Sequence, residues 1–401
     1  MNFIFISPYF PHTYWQFCDR LYQNGVNVLG IGDAPYDSLE PGLKNALTEY
    51  YRVDSLENYD QVYRAVAFFA FRYGKPDWIE SNNEYWLEQD ARLRTEFHIT
   101  TGVQYDQIDS WKHKSGMKPV YQKAGIPTAR CHKVSTEAAA REFVAANGGY
   151  PVIAKPDVGV GAANTWKLEN DDQLAAFFRE KPDVPYLIEE FVVGDIRSYD
   201  AITDSKGEPL FESMTAWPPS IADIVNKDLD LSYYVSRDMP DQLRRLGRAA
   251  LKAFEVRSRF VHLEFFQLTE AREGLGDVGD FVALEVNMRP AGGYTPDMMN
   301  YAHSTDVYRI WADMVTADKR LLPESGDDHW CVYAGRKEWL FHYAYSHEEI
   351  MAKYGSRMAM CEEMPELMWA TMGSRSYTIH AYSEEEVQEF IRMFTTRGDR
   401  K

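Results

Sequence analysis

The sequence is poor in the features that most quickly place a protein. Its 401 residues include only four cysteines, Cys18, Cys131, Cys331 and Cys361. They are far apart and have neither CxxC nor zinc-ligand spacing. A disulfide scaffold and a structural zinc site are excluded, and reduced thiols in a cytoplasmic protein are the expectation. Apolar runs are short: 66–71 (Val-Ala-Phe-Phe-Ala-Phe) is typical and far below a membrane span. Residues 3–6 are too short for the apolar region of a signal peptide, and no basic stretch precedes them. Positive charge is scarce, with 43 Lys and Arg against 61 Asp and Glu, a formal net charge of −18. That field repels nucleic-acid phosphates and anionic membranes, so neither is expected as a partner, although a local basic pocket for a small anion is compatible with it. Repeats and low-complexity segments are missing too. What remains is 45% hydrophobic and 14% aromatic, enough to build cores, and the length calls for roughly two to four structural units.

The first third alternates strand and helix signals. Residues 3–6 read as a buried strand, and Tyr14, Phe17, Cys18, Leu21 and Tyr22 recur at helical spacing until Gly25. A second strand over 26–31, a helix over 58–73 and a third strand over 77–80 complete a Rossmann-like parallel unit. No GxGxxG follows the first strand; Ser7-Pro8-Tyr9-Phe10-Pro11 stands there, which argues against ordinary NAD or FAD binding. Residues 107–125 are locally basic, with Lys112, Lys114, Lys118 and Lys123. Helices over 135–147 and 171–180 and strands over 151–155 and 186–190 follow, with a small-residue loop at 157–165. Beyond them the pattern is antiparallel: 196–203 and 210–214 flank the turn Asp204-Ser205-Lys206-Gly207, and 260–268 and 281–287 flank a polar insert.

Three clusters carry chemistry. In a strand, alternate side chains share a face, so Glu285 and Asn287 point together, and Glu264 joins them if the two flanking strands pair. Two carboxylates and an amide oxygen are hard ligands suited to magnesium or manganese beside phosphate. Arg289, two positions on, could stabilise a transferring phosphoryl group. Second, Lys155 ends a buried strand ahead of Gly159 and Gly161, where a lysine and free backbone N–H groups can meet a phosphate, although no Walker A sequence follows. Third, Leu187-Ile188-Glu189-Glu190-Phe191-Val192 could line a purine slot, backbone groups reading an adenine edge. A surface reading competes for each cluster alone: half-solvated carboxylates, a solvated turn lysine, a charged strand exit.

Taken together and in this order, the three resemble the ATP-grasp superfamily of ATP-dependent carboxylate–amine ligases, over residues 1 to about 325. Glu285-x-Asn287-x-Arg289-Pro290 with Gly292-Gly293 is the most distinctive piece. The resemblance implies an α/β and α+β chain: a Rossmann-like pre-ATP-grasp domain (1–108), a lid subdomain (109–190), an antiparallel-sheet catalytic subdomain (191–325) and a small C-terminal α+β domain (326–401). By the same resemblance Lys114 and Lys155 are the nucleotide lysines, with Gly159 and Gly161 in the phosphate loop. Glu189, Glu190 and Val192 form the adenine hinge. Glu264, Glu285 and Asn287 hold Mg2+ (or Mn2+), and Arg289 and Lys155 are catalytic. The sequence departs from the family pattern at several places. His113 replaces an Asp before Lys114, and Gly116 and Pro119 disturb the expected helix, which leaves Lys112 as a rival for the first lysine. The ribose falls to Asp195 or Asp200. The implied reaction is activation of a carboxylate as an acyl phosphate and its capture by an amine, with release of ADP and phosphate. A biotin carboxylase-like subunit using bicarbonate and a non-catalytic ATP-binding protein are the alternatives. The partners are then small-molecule acids and amines, and a homodimer is the family-level expectation.

Overall fold

The computed structural model describes residues 1–159, 164–218 and 229–400. Gly161 lies outside the described residues. Strands β1 (Asn2–Ile6), β2 (Asn27–Gly32), β3 (Glu49–Arg52) and β4 (Trp78–Glu80) form a parallel sheet in the order β3-β2-β1-β4. Phe3 to Ile6 are fully buried because helices cover both faces of such a sheet. The helix Tyr59–Tyr73 packs Val62, Val66 and Phe69 on one side with Ile4, Ile6 and Ile79, and Asn58 caps it by accepting from Gln61 N. On the other side Phe3, Phe5 and Phe17 meet Trp311 of the helix Val307–Ala317, with ring centroids 5.0 to 6.4 Å apart, which docks this unit on the rest of the chain.

A second sheet contains β5 (Cys131–Val134), β6 (Val152–Pro156), β7 (Trp166–Leu168) and β8 (Tyr186–Glu190), antiparallel in the order β5-β8-β6-β7. Helices Glu137–Ala146 and Asp171–Glu180 cover it, capped by Thr136 and Asn170, and bury Val144, Leu174 and Phe177 against Val152, Ala154 and Ile188. This is a small separate core, the expected build of a lid.

The third sheet is the largest. It contains β9 (Gly194–Thr203), β10 (Pro209–Trp217), β11 (Leu231–Ser236), β12 (Arg259–Leu268), β13 (Phe281–Asn287), β14 (Trp330–Arg336), β16 (Met358–Glu363) and β17 (Arg375–Ala381). Their order is β13-β12-β9-β10-β11-β14-β17-β16, antiparallel throughout. The turn at 204–207 closes the β9–β10 hairpin with Gly207 at φ 85°, where a side chain would be strained. The tail therefore continues the catalytic sheet across the boundary expected near 326: β11 pairs with β14 from Leu231↔Gly335 to Val235↔Cys331. Among the described residues of the tail, only the short β15 (Phe341–Tyr343) and β18 (Arg397–Arg400) pair apart from it. Buried Glu80 binds Arg259 (2.6 Å) on β12 and Arg94 (3.3 Å), a charged tie between the first and third sheets. Among the described residues no helix is long and apolar enough to cross a membrane.

Candidate active site

Register brings the first cluster together. On β12 and β13, His262 lies opposite Asn287 and Glu264 opposite Glu285, so all four occupy one face, while Leu263 and Val286 point into the core behind it. On the other side of β12, His262 lies opposite Asp200 of β9. His262 bridges Asp200 Oδ1 through Nδ1 (2.6 Å) and Glu264 Oε1 through Nε2 (3.2 Å). Burial would lower the imidazole's affinity for its proton, but Asp200 and Glu264 outweigh it and raise its pKa to about 9, which favours the protonated form. Burial likewise opposes the Glu264 carboxylate, and His262, Arg289 and Lys114 hold it below the ordinary range. Asp200 also accepts from Ser198 Oγ (2.5 Å) and Thr215 Oγ1 (3.2 Å), so its carboxylate is occupied inside this network. Asp195 is half exposed and meets Arg197 at 3.4 Å.

The basic segment forms two helices rather than one. Asp109–Lys112 ends at extended His113, and a new helix runs Lys114–Lys123 with Pro119 inside it. Gly116 is required by a close approach, since a Cβ there would lie 2.7 Å from the Asp109 carbonyl oxygen. The break sends the two rival lysines different ways. Lys114 Nζ donates to Glu285 Oε1 and to Gly159 O, both at 2.9 Å. Lys112 turns to Glu88 at 3.1 Å. Asp157, buried just after β6, accepts from Ser115 N and Oγ (both 2.8 Å) and pairs with Lys133 (2.9 Å), which pins this segment to the helix start.

Glu189 is the centre of a buried ion triad. Lys155 reaches it at 2.8 Å and Lys118 at 3.1 Å. Burial pushes this carboxyl up, but the two ammonium groups outweigh it and hold the pKa down to about 2. Its neighbour Glu190 points to the opposite sheet face, where Arg130 grips it with Nε (3.0 Å) and NH2 (2.6 Å) and Arg272 adds a 3.2 Å contact. The two carboxylates are thus not brought together. Val192 packs in a small apolar cluster with Leu268 and Val282.

Sequence reasoning passed over Lys118 as a site residue, although four residues after Lys114 it shares that helix face. It also passed over Glu84, which follows β4 at the carboxyl edge of the parallel sheet, where open α/β sheets bind ligands. Loops from that edge (Ser7–Pro11, Asp33 and 83–86) line a cleft of about 990 Å³ together with Val158, Gly159, Arg289 and Gly292. Arg289 donates to Pro290 O (2.8 Å) and weakly to Asn287 Oδ1 (3.4 Å), and its Nε stands 3.9 Å from Glu84 Oε2.

The layout of a parallel sheet, an antiparallel lid and a large antiparallel sheet around one cleft is matched by solved structures over nearly the whole chain. An L-amino acid ligase from Bacillus licheniformis superimposes with a TM-score of 0.70 at 12% identity, covering 98% of this chain and 96% of that one. The biotin carboxylase domain of Hydrogenobacter thermophilus 2-oxoglutarate carboxylase, solved with MgADP, ADP and bicarbonate, gives 0.70 at 13% identity, covering 100% and 91%. The chain has the ATP-grasp fold. Staphylococcus aureus N5-carboxyaminoimidazole synthetase with ADP gives 0.69 at 11% identity over 97% and 95% of the two ATP-grasp chains. By sequence, the chain is 29% identical to the carbamoyl phosphate synthase large chain of Agathobacter rectalis over 107 residues, which is 26% of this chain and 10% of that protein. No family model matches.

The donor set on the paired strands β12 and β13 fits a hard divalent cation: two carboxylates and an amide oxygen, beside Lys114 and His262. Among the described residues no three His, Cys, Asp or Glu side chains form a group that could hold a metal ion.

Proposed function

We propose that the protein is an ATP-dependent ligase, which activates a substrate carboxylate as an acyl phosphate and joins it to an amine, releasing ADP and phosphate. The observation that carries this reading is the cleft: it joins the phosphate loop at Val158–Gly159 to Arg289 and to the carboxyl edge of the first sheet. ATP would lie under the lid with its phosphates toward Lys114, Lys155 and Gly159. Its base would lie along the backbone at the end of β8, between Glu189 and Val192 and without the Glu190 carboxylate, and its ribose near Asp195. The ADP in the Staphylococcus and Hydrogenobacter structures supports a nucleotide in this fold.

Glu264, Glu285 and Asn287 would hold Mg2+ or Mn2+, which when bound neutralises charge on the transferring phosphate. A carboxylate oxygen of the substrate attacks the γ-phosphorus, the bond to the bridging oxygen breaks, and ADP leaves. Arg289 steadies the carboxylate and the charge that develops on the phosphoryl oxygens. The amine nitrogen then attacks the acyl carbon; the C–N bond forms, the C–O bond to phosphate breaks, and the phosphate leaves with the nitrogen's surplus proton. Closure of the β5–β8 unit keeps water from the acyl phosphate.

The test is phosphate release from ATP and magnesium with pooled acids and pooled amines, with bicarbonate and biotin in a separate reaction. Release requiring one acid and one amine supports the ligase. Biotin-dependent release favours instead the bicarbonate reading, which the Hydrogenobacter complex keeps in view. A cytoplasmic homodimer is proposed on the same footing, that domain being a dimer.

A further inference from the structure

Among the described residues, the charged side chains lining the cleft make side-chain hydrogen bonds, with one exception. Asp33 accepts from Tyr9 Oη and from Leu56 N (3.3 Å). Glu57 accepts from Tyr85 Oη. Glu88 pairs with Lys112 at 3.1 Å, and Arg92 pairs with Glu96 at 2.9 Å while lying 3.8 Å over the Tyr59 ring. Glu84 is the exception: its Oε2 is buried and receives no hydrogen bond. At 3.9 Å the Arg289 Nε is too far to donate, and two other Arg289 N–H groups are turned to Pro290 and Asn287. Burial, and then Glu285, push the Glu84 carboxyl above its ordinary range, and Arg289, Lys112 and Lys114 pull against them. A buried carboxylate oxygen with no donor is costly and is an opening for a ligand that brings one.

The cleft wall beside it is aromatic. Phe10 and Tyr85 are 62% and 61% exposed, unusual for such side chains, and both face the cleft. Trp86 stands edge-on to Tyr85 at 4.6 Å. A wall of rings suits an apolar or aromatic body and also attracts a cation.

Resting on the ligase reading, we propose that Glu84 selects the amine substrate: it receives the N–H groups of a primary ammonium whose aromatic or large apolar body lies against Phe10, Tyr85 and Trp86. The charge arrangement divides the cleft. Arg289 attracts the carboxylate that is activated, and Glu84 repels it. The same carboxylate attracts the ammonium, takes one of its protons so that the nitrogen has a free electron pair, and places that amine beside the acyl phosphate, since the two side chains approach to 3.9 Å. A charge-assisted hydrogen bond distinguishes an ammonium from a neutral nucleophile of the same size.

The experiment compares the wild type with Glu84→Gln and Glu84→Asp, using the twenty amino acids as pooled acids, ATP and magnesium. Hydroxylamine at pH 8 is the uncharged nucleophile and 2-phenylethylamine the ammonium. For Glu84→Gln the KM for 2-phenylethylamine should rise about 10- to 100-fold, the factor of a hydrogen bond to a charged group. Hydroxamate formation should stay within about two-fold and Tm should not fall, because the buried Oε2 has no hydrogen-bond donor to lose. Glu84→Asp should recover part of the loss. An unchanged KM in Glu84→Gln, or equal damage to hydroxamate formation, overturns the assignment. Wild-type hydroxamate without any use of 2-phenylethylamine overturns it while leaving the ligase intact. The absence of both products overturns the ligase reading, and the assignment with it.

Discussion

Replacing Glu189 with glutamine should cost about 3 kcal/mol of stability at neutral pH and make the protein respond more strongly to phosphate. Glu189 is 4% exposed and holds Lys155 at 2.8 Å and Lys118 at 3.1 Å. Its pKa of about 2, against an ordinary 4.5, corresponds to about 3 kcal/mol at about 1.36 kcal/mol per tenfold change in proton affinity. Removing one partner of a buried ion group costs about 3 to 5 kcal/mol in comparable cases, so two independent routes agree in order of magnitude. The pH dependence follows from the sign. The folded value lies below the unfolded one, so this contribution is complete above about pH 4.5 and is lost as the pH falls toward 2. Urea unfolding followed by tryptophan fluorescence, wild type against variant, should give a gap of about 3 kcal/mol at pH 7 that narrows below pH 4.5. Pyrophosphate or ATP with magnesium should raise the variant's Tm more than the wild type's, because the two lysines lack their internal anion. A gap below about 1 kcal/mol at pH 7, or one that does not change with pH, would refute the reasoning.

Other perturbations read other parts of the structure. Gly247→Ala puts a Cβ 2.3 Å from Tyr199 Cγ, and should lower stability by about 1 to 3 kcal/mol in urea despite alanine's better helix propensity. Glu80→Gln leaves Arg94 and Arg259 buried without their shared carboxylate, and the same assay should show a loss of about 3 to 5 kcal/mol. Arg289→Ala should reduce acid- and amine-dependent phosphate release at least about 100-fold, with Tm within about 2 °C of wild type by differential scanning fluorimetry. Lys114→Met should weaken MgATP binding about 10-fold or more by calorimetry, whereas Lys112→Met should leave it within about two-fold.

Much of this was legible in the sequence because it is local. The alternation of Glu285 and Asn287 survives as one face of β13, with Arg289 just beyond its end, and the helices over Glu137–Ala146, Asp171–Glu180 and Glu384–Thr395 begin at residues whose side chains cap them. Period-two alternation also separates Glu189 from Glu190, but the arginines that hold Glu190 on the far face come from distant parts of the chain. The rest is non-local. The choice between Lys112 and Lys114 turns on a helix break at His113 and on Glu285, far along the chain. Glu84 carries no signal until Arg289 and the first sheet's loops close round it. The tail joins the large sheet through strand pairing between β11 and β14, which no spacing in either segment announces.

The most direct measurement is ATP-dependent phosphate release with the pooled acids and amines, run in parallel on the wild type and on Arg289→Ala. The expected result is release that requires both an acid and an amine in the wild type and is lost in the variant. Release by the wild type that needs no acid, or that the variant retains in full, would contradict the ligase reading of this cleft.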